Sequence, residues 1–141
     1  MSRARLVPEL LCSDLDASLA FYIGLAGFSV LYERPEDRFA YLNFDGAEIM
    51  LEELPRDGKR VWLTADVQKP FGRGINFEIQ VADADAIQSR MMKSSWPLFQ
   101  PMEERWYRAG ERETGNRQFL VQDPDGYLLR FFSDLGTRPA A

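Results

Sequence analysis

The stretch QFLVQDPDGYLLRFF, residues 118 to 132, decides how this chain is read. Apolar and polar residues alternate into Asp-Pro-Asp-Gly and out again, the pattern of two antiparallel strands joined by a turn on Asp125-Gly126. An earlier segment has the same form, with RFAYLNF (38–44) and AEIMLEEL (47–54) flanking Asp45-Gly46. The two hairpin glycines, Gly46 and Gly126, are 80 residues apart.

The order upstream of each hairpin also repeats. LVPELLC (6–12) is extended in character, and SDLDASLAFYIGLAGF (13–28) carries apolar residues at Leu15, Leu19, Tyr22 and Ala26, with Asp14 or Asp16 placed to cap a helix and Gly27 to end it. FSVLYERP (28–35) follows as a strand closed by Pro35. In the second half, GINFEIQV (74–81) alternates, ADADAIQSRMMKSS (82–95) is a helix capped by Asp83 or Asp85, and WPLFQP (96–101) is a short strand. SDLDA at 13–17 matches ADADA at 82–86 with an offset of 69. The expected fold is therefore α+β, a single domain over 1–141 built of two tandem β-α-β-β-β modules, one over about 5–66 and one over about 73–135.

The two offsets differ, which requires an insertion of about eleven residues between Trp96 and Phe119. PMEERWYRAGERETGN (101–116) is polar, aromatic and glycine-containing, and is expected to be a long loop carrying binding groups. Between the modules, VWLTADV (61–67) reads as last-strand material or linker and KPFGRG (69–74) as a turn. Gly72-Arg73-Gly74 precedes a strand, so it is not a phosphate loop.

Composition narrows the function classes. A net charge of −5 gives no general attraction to phosphate backbones, so nucleic acid is not an expected partner; it suits cationic ligands. The chain has no histidine, which removes the commonest metal ligand and general base. Cys12 is the single cysteine, expected as a packed side chain, and forms no internal disulfide. No run approaches the ~20 apolar residues of a membrane span, so a cytoplasmic protein is expected.

A tandem β-α-β-β-β repeat with D-x-D-A after its first strands and DPDGYLL in its last hairpin resembles the vicinal oxygen chelate superfamily: glyoxalases, ring-cleaving dioxygenases, fosfomycin-inactivating enzymes and bleomycin resistance proteins. The resemblance implies a half-open barrel with a ligand cleft, and commonly a homodimer. In metal-dependent relatives, ligands stand seven residues before the cap aspartate and four after the hairpin glycine. Here those positions hold Val7, Asn76, Met50 and Arg130. Valine has no donor, arginine no free lone pair, methionine prefers soft ions and a lone amide oxygen binds weakly, so no metal or other cofactor is expected. The resemblance is then to the metal-free bleomycin resistance proteins, which sequester their ligand rather than transform it.

Alternation extends those positions to whole walls. Glu9 shares a face with Val7, Glu78 with Asn76, Glu48 and Glu52 with Met50, and Leu128 and Phe132 with Arg130. Phe39 and Tyr41 share a face in the third strand, with Phe119 expected at the matching place in the second module. Trp106 and Tyr107 lie in the expected loop, while Trp62 and Trp96 are expected to pack. A polar strand face is also what a solvated sheet presents; the family resemblance is what makes it a ligand wall. The expected ligand-binding set is Glu9, Phe39, Tyr41, Met50, Glu52, Asn76, Glu78, Trp106, Tyr107, Phe119 and Arg130, taking a bulky, partly cationic aromatic molecule, for example a bleomycin-type antibiotic. The rival reading is a lyase, isomerase or dioxygenase with Mg²⁺ or Mn²⁺ held by Glu9, Glu52 and Glu78.

Overall fold

The computed structural model describes residues 3–55 and 62–141. The chain divides into two compact units: Met1–Arg73 with the turn Asp123–Tyr127, and Gly74–Gln122 with Leu128–Ala141.

Unit one runs β1 (Glu9–Cys12), α1 (Leu15–Leu19, continuing as a π-helical segment Ala20–Ala26), β2 (Ser29–Arg34), β3 (Phe39–Phe44) and β4 (Ala47–Glu53). Its sheet order is β1-β4-β3-β2, with β1 parallel to β4 and the other pairs antiparallel. Of the two candidate caps it is Asp14 that starts the helix. Its backbone is extended and its carboxylate accepts from the Asp16 and Ala17 N–H groups at 3.0 and 3.3 Å. Gly27, with φ of 105°, ends it, and its N–H donates to the Tyr22 carbonyl at 2.9 Å. Leu10, Cys12, Ala40, Leu42, Ile49 and Leu51 form the buried face of the sheet, and Tyr22 meets Phe21 and Phe28 edge-to-face at 5.1 and 5.5 Å.

The turn Asp123–Tyr127 belongs to this core. The Asp123 carboxylate accepts the Tyr22 hydroxyl at 2.8 Å and the N–H groups of Asp125, Gly126 and Tyr127. Asp125, 1% exposed, accepts from the Ser13 N–H and hydroxyl, faces the Lys69 ammonium at 3.4 Å, and through its carbonyl receives the Phe71 N–H. The Tyr127 hydroxyl donates to the Leu11 carbonyl at 2.8 Å. Buried polar groups of this kind hold only because each has partners.

Unit two runs β5 (Asn76–Gln80), α2 (Ala84–Lys93), β6 (Leu98–Ala109), β7 (Arg112–Gln122) and β8 (Leu128–Pro139), in sheet order β5-β8-β7-β6 with β5 parallel to β8. Asp83 caps α2 through the Ala86 N–H at 3.1 Å. Ile79, Val81, Ile87, Met91, Phe119, Val121, Leu129 and Phe131 make its core. The expected β-α-β-β-β order holds in both halves. The fold is α+β with two four-stranded mixed sheets, and among the described residues neither sheet closes into a barrel.

Three local expectations change. The stretch 101–116 is not a loop: β6 and β7 pair from Leu98↔Val121 to Ala109↔Arg112, so the insertion lengthens a hairpin, which satisfies backbone groups that a loop would leave to water. Trp62, expected to pack, is 83% exposed; of the two readings of 61–67, residues 62–67 form no strand and so follow the linker reading, while Val61 lies outside the described residues. The last hairpin closes at Gln122↔Leu128 over five residues, whereas the first closes at Phe44↔Ala47 over two. KPFGRG is a turn, as expected. Among the described residues no helix is long and apolar enough to cross a membrane.

Candidate functional site

Ladder partners share a sheet face, so register assigns every wall residue. In unit one, Glu9 pairs with Met50, Met50 with Tyr41, Glu52 with Phe39, and Tyr41 with Tyr32. Glu9, Phe39, Tyr41, Met50 and Glu52 therefore lie on one face, opposite the helix-side core, together with Glu48 and Arg34.

This face is acidic and aromatic. The Tyr41 hydroxyl donates to Glu48, which holds the phenol protonated and pushes its pKa up, and the Tyr41 ring stacks on Tyr32 at 5.1 Å. The Arg34 guanidinium lies 3.9 Å from the Phe39 ring centroid. The Arg3 guanidinium lies 4.7 Å from the Tyr41 centroid and donates to its hydroxyl at 3.2 Å. The Ala4 N–H donates to the second oxygen of Glu48 at 3.0 Å. Burial pushes the Glu9 carboxyl up, and a like charge and shared hydrogen bond with Glu52 push it further, against a smaller opposing pull from Arg34.

In unit two, Asn76 pairs with Leu128, Glu78 with Arg130, Arg130 with Leu120, and Gln118 with Phe132. The Arg130 guanidinium meets the Glu78 carboxylate at 3.2 Å; its side chain is 23% exposed, and its Nε is buried with no acceptor among the described residues. Amides continue the wall. Asn116 donates to Gln118 at 3.3 Å and to Glu78 at 3.5 Å, and Gln118 donates to Tyr107 at 2.6 Å and to Glu103 at 3.2 Å.

Two expected wall residues face away from this network. Phe119 pairs with Phe131, is fully buried in the helix-side core and stacks on Phe131 at 5.6 Å. The residue matching Phe39 is Gln118 and that matching Tyr41 is Leu120. The longer second turn shifts β7 by one residue, and a one-residue slip flips the face. Trp106 neighbours Tyr107 on β6 and takes the opposite face, its ring lying over Gly115 with the Arg138 guanidinium 3.9 Å from its centroid. Glu48, Glu103, Asn116 and Gln118 are site-face residues outside the expected binding set. For Asn116 and Gln118 the missing signal was turn length, and for Glu103 the strand character of the insertion.

The donor set does not fit the metal of the metal-dependent relatives. Met50 and Arg130 occupy the fourth-residue positions, and the Arg130 cation is engaged with Glu78. Among the described residues no group of three or more His, Cys, Asp or Glu side chains is placed to hold a metal ion. The Cys12 thiol is buried and pushed up to about 12, which makes it a poor nucleophile. A cavity of about 390 Å³ is lined by Thr64, Asp66, Gln68, Phe71 and Arg73, none of them an expected site residue.

The model of the glyoxalase/bleomycin resistance protein/dioxygenase superfamily matches residues 5–131, and the chain belongs to that superfamily. A superfamily member from Vibrio splendidus 12B01 is 35% identical, with 89% of this chain and 95% of that chain covered and a TM-score of 0.41. TioX from Micromonospora sp. ML1 is 23% identical over 94% of this chain and 99% of its own, with a TM-score of 0.70. Lactoylglutathione lyase from Agrobacterium tumefaciens is 20% identical over 92% of each chain, with a TM-score of 0.58. No curated protein matches the chain.

Proposed function

We propose that this chain is a metal-free binding protein that holds a bulky, planar, partly cationic small molecule without making or breaking bonds. The observation that carries the reading is the fate of the family's metal positions: Met50 level with Glu9, and Arg130 paired with Glu78. On the unit-one face Glu9 and Glu52 attract positive groups and Phe39 and Tyr41 offer flat rings; the unit-two face, taken by itself, offers hydrogen bonds from Asn76, Glu78, Gln118, Tyr107 and Arg130. Bleomycin has the required chemistry and is the probe of choice. The protein acts as a homodimer, which a sizing column reads directly, and a single buried cysteine suits the cytoplasm.

Titration calorimetry with metal-free bleomycin is expected to show saturable heat at micromolar protein. Absence of heat overturns this ligand. Stoichiometric magnesium or manganese in protein purified without chelator, together with glyoxalase activity, would replace the binding reading by an enzymatic one.

A further inference from the structure

We propose that the segment Arg3–Ala4 is an internal occupant of the unit-one face, and that the subsite it fills takes a guanidinium or amine group of the ligand. The inference rests on the binding reading above and names the ligand chemistry at one point of it.

Glu48 is only 9% exposed, so both of its oxygens need donors. One receives the Tyr41 hydroxyl and the other the Ala4 N–H. Arg3 meanwhile covers the Tyr41 ring and donates to its oxygen. The chain thus satisfies a buried carboxylate and an aromatic face with its own cation and its own N–H. A ligand carrying a guanidinium or a protonated amine offers the same two elements, a positive charge for the ring and an N–H for Glu48.

The neighbouring ring shows which of the two arginines is free to leave. Arg34, over Phe39, is fixed by its place in β2 and by a 3.1 Å ion pair with Asp37. Arg3 lies ahead of β1, where residues 3–7 form no strand, so leaving Tyr41 breaks no ladder. The second unit has no counterpart, because Leu120 stands where Tyr41 does and provides no ring. A ligand cation therefore docks at Tyr41 and Glu48 by displacing Arg3, and the segment sets a threshold that weak cations do not cross.

The test uses agmatine, which carries a guanidinium and an amine, titrated into the full chain while NMR follows the Tyr41 ring and the Arg3 Nε–H. Agmatine is expected to move both signals, Arg3→Ala to bind it about five-fold more tightly, and Arg3→Lys to return affinity to that of the unmodified chain. Equal affinity in the unmodified chain and Arg3→Ala overturns the proposal, and so does a silent Tyr41 in both. Bleomycin calorimetry on the same samples separates the two ideas. Bleomycin heat with a silent Tyr41 sinks the displaced-arginine inference alone; tighter agmatine binding to Arg3→Ala without bleomycin heat supports it and sinks only the bleomycin reading.

Discussion

Glu9 and Glu78 occupy the same place in the two sheets, on the first strand of each unit and level with the residue four beyond the hairpin glycine. Across from Glu78 stands Arg130, and the two meet at 3.2 Å. Across from Glu9 stands Met50, with no charge to offer, and the carboxyl is pushed up by burial and by Glu52. A repeat thus preserves strand order while the opposite residue decides whether the first-strand carboxylate has a cation across the ladder. The third strands differ in the same way, with Phe39 and Tyr41 on the face of unit one where Gln118 and Leu120 stand in unit two. One wall is acidic and aromatic, the other carries amides and an ion pair.

The sharpest test of this comparison is Phe119, which looks like the partner of Phe39 in sequence and is a core residue in the structure. Phe119→Ala is expected to destabilise the protein by about 4 kcal/mol in urea unfolding, while leaving binding by the folded protein unchanged. A loss of binding without loss of stability would break the register assigned here.

The turn glycines come next. Gly46 and Gly126 both have positive φ, 95° and 104°, but a Cβ at Gly46 meets nothing within 4 Å, whereas one at Gly126 would lie 2.5 Å from Pro70 Cβ and 2.6 Å from its Cα. Gly46→Ala is expected to cost about 1 kcal/mol, from backbone conformation alone. Gly126→Ala adds a clash with backbone and is expected to cost about 3 kcal/mol. Equal thermal shifts in the two variants would show that the second turn is no more tightly packed than the first.

The smallest effect is in pH dependence, where the units carry opposite signs. Glu9 has a raised pKa, so its contribution to stability is present below its ordinary value of 4.5 and is lost as pH rises through the folded value. Asp85 is lowered by its hydrogen bonds and ion pair with Arg117, so its contribution is present above 3.8 and is lost as pH falls through the folded value. In denaturation curves taken from pH 3 to 7, Glu9→Gln should gain on the unmodified protein as pH rises, and Asp85→Asn should lose on it. Met50→Arg should give Glu9 the partner that Glu78 has and reverse its slope; an unchanged slope would mean that burial and Glu52 outweigh a cation across the ladder.

Much of this architecture was legible because it follows from local rules. Helix starts at Asp14 and Asp83 and the stop at Gly27 come from groups within one turn of the helix ends. The polar walls containing Glu9 and Glu78 came from alternation, which depends only on the geometry of an extended chain. Phe119 failed for a physical reason: alternation gives a face only when the turn length is known, and the second turn holds three residues more than the first. Trp106 failed likewise, since its face was undefined while its segment read as a loop. Arg3, in no motif, gave no signal at all.

The sequence by itself therefore determined the repeat, the superfamily and the residues Val7, Met50, Asn76 and Arg130 at the family's metal positions, because these depend on residue type and spacing along the chain. Only the tertiary structure decided that Arg3 reaches Tyr41 across 38 residues, that Asp125 is a buried anchor for Ser13, and that Phe119 faces the core. Contacts between residues distant in the chain depend on strand register and turn length together, and a one-residue difference in either moves a side chain from one face of a sheet to the other.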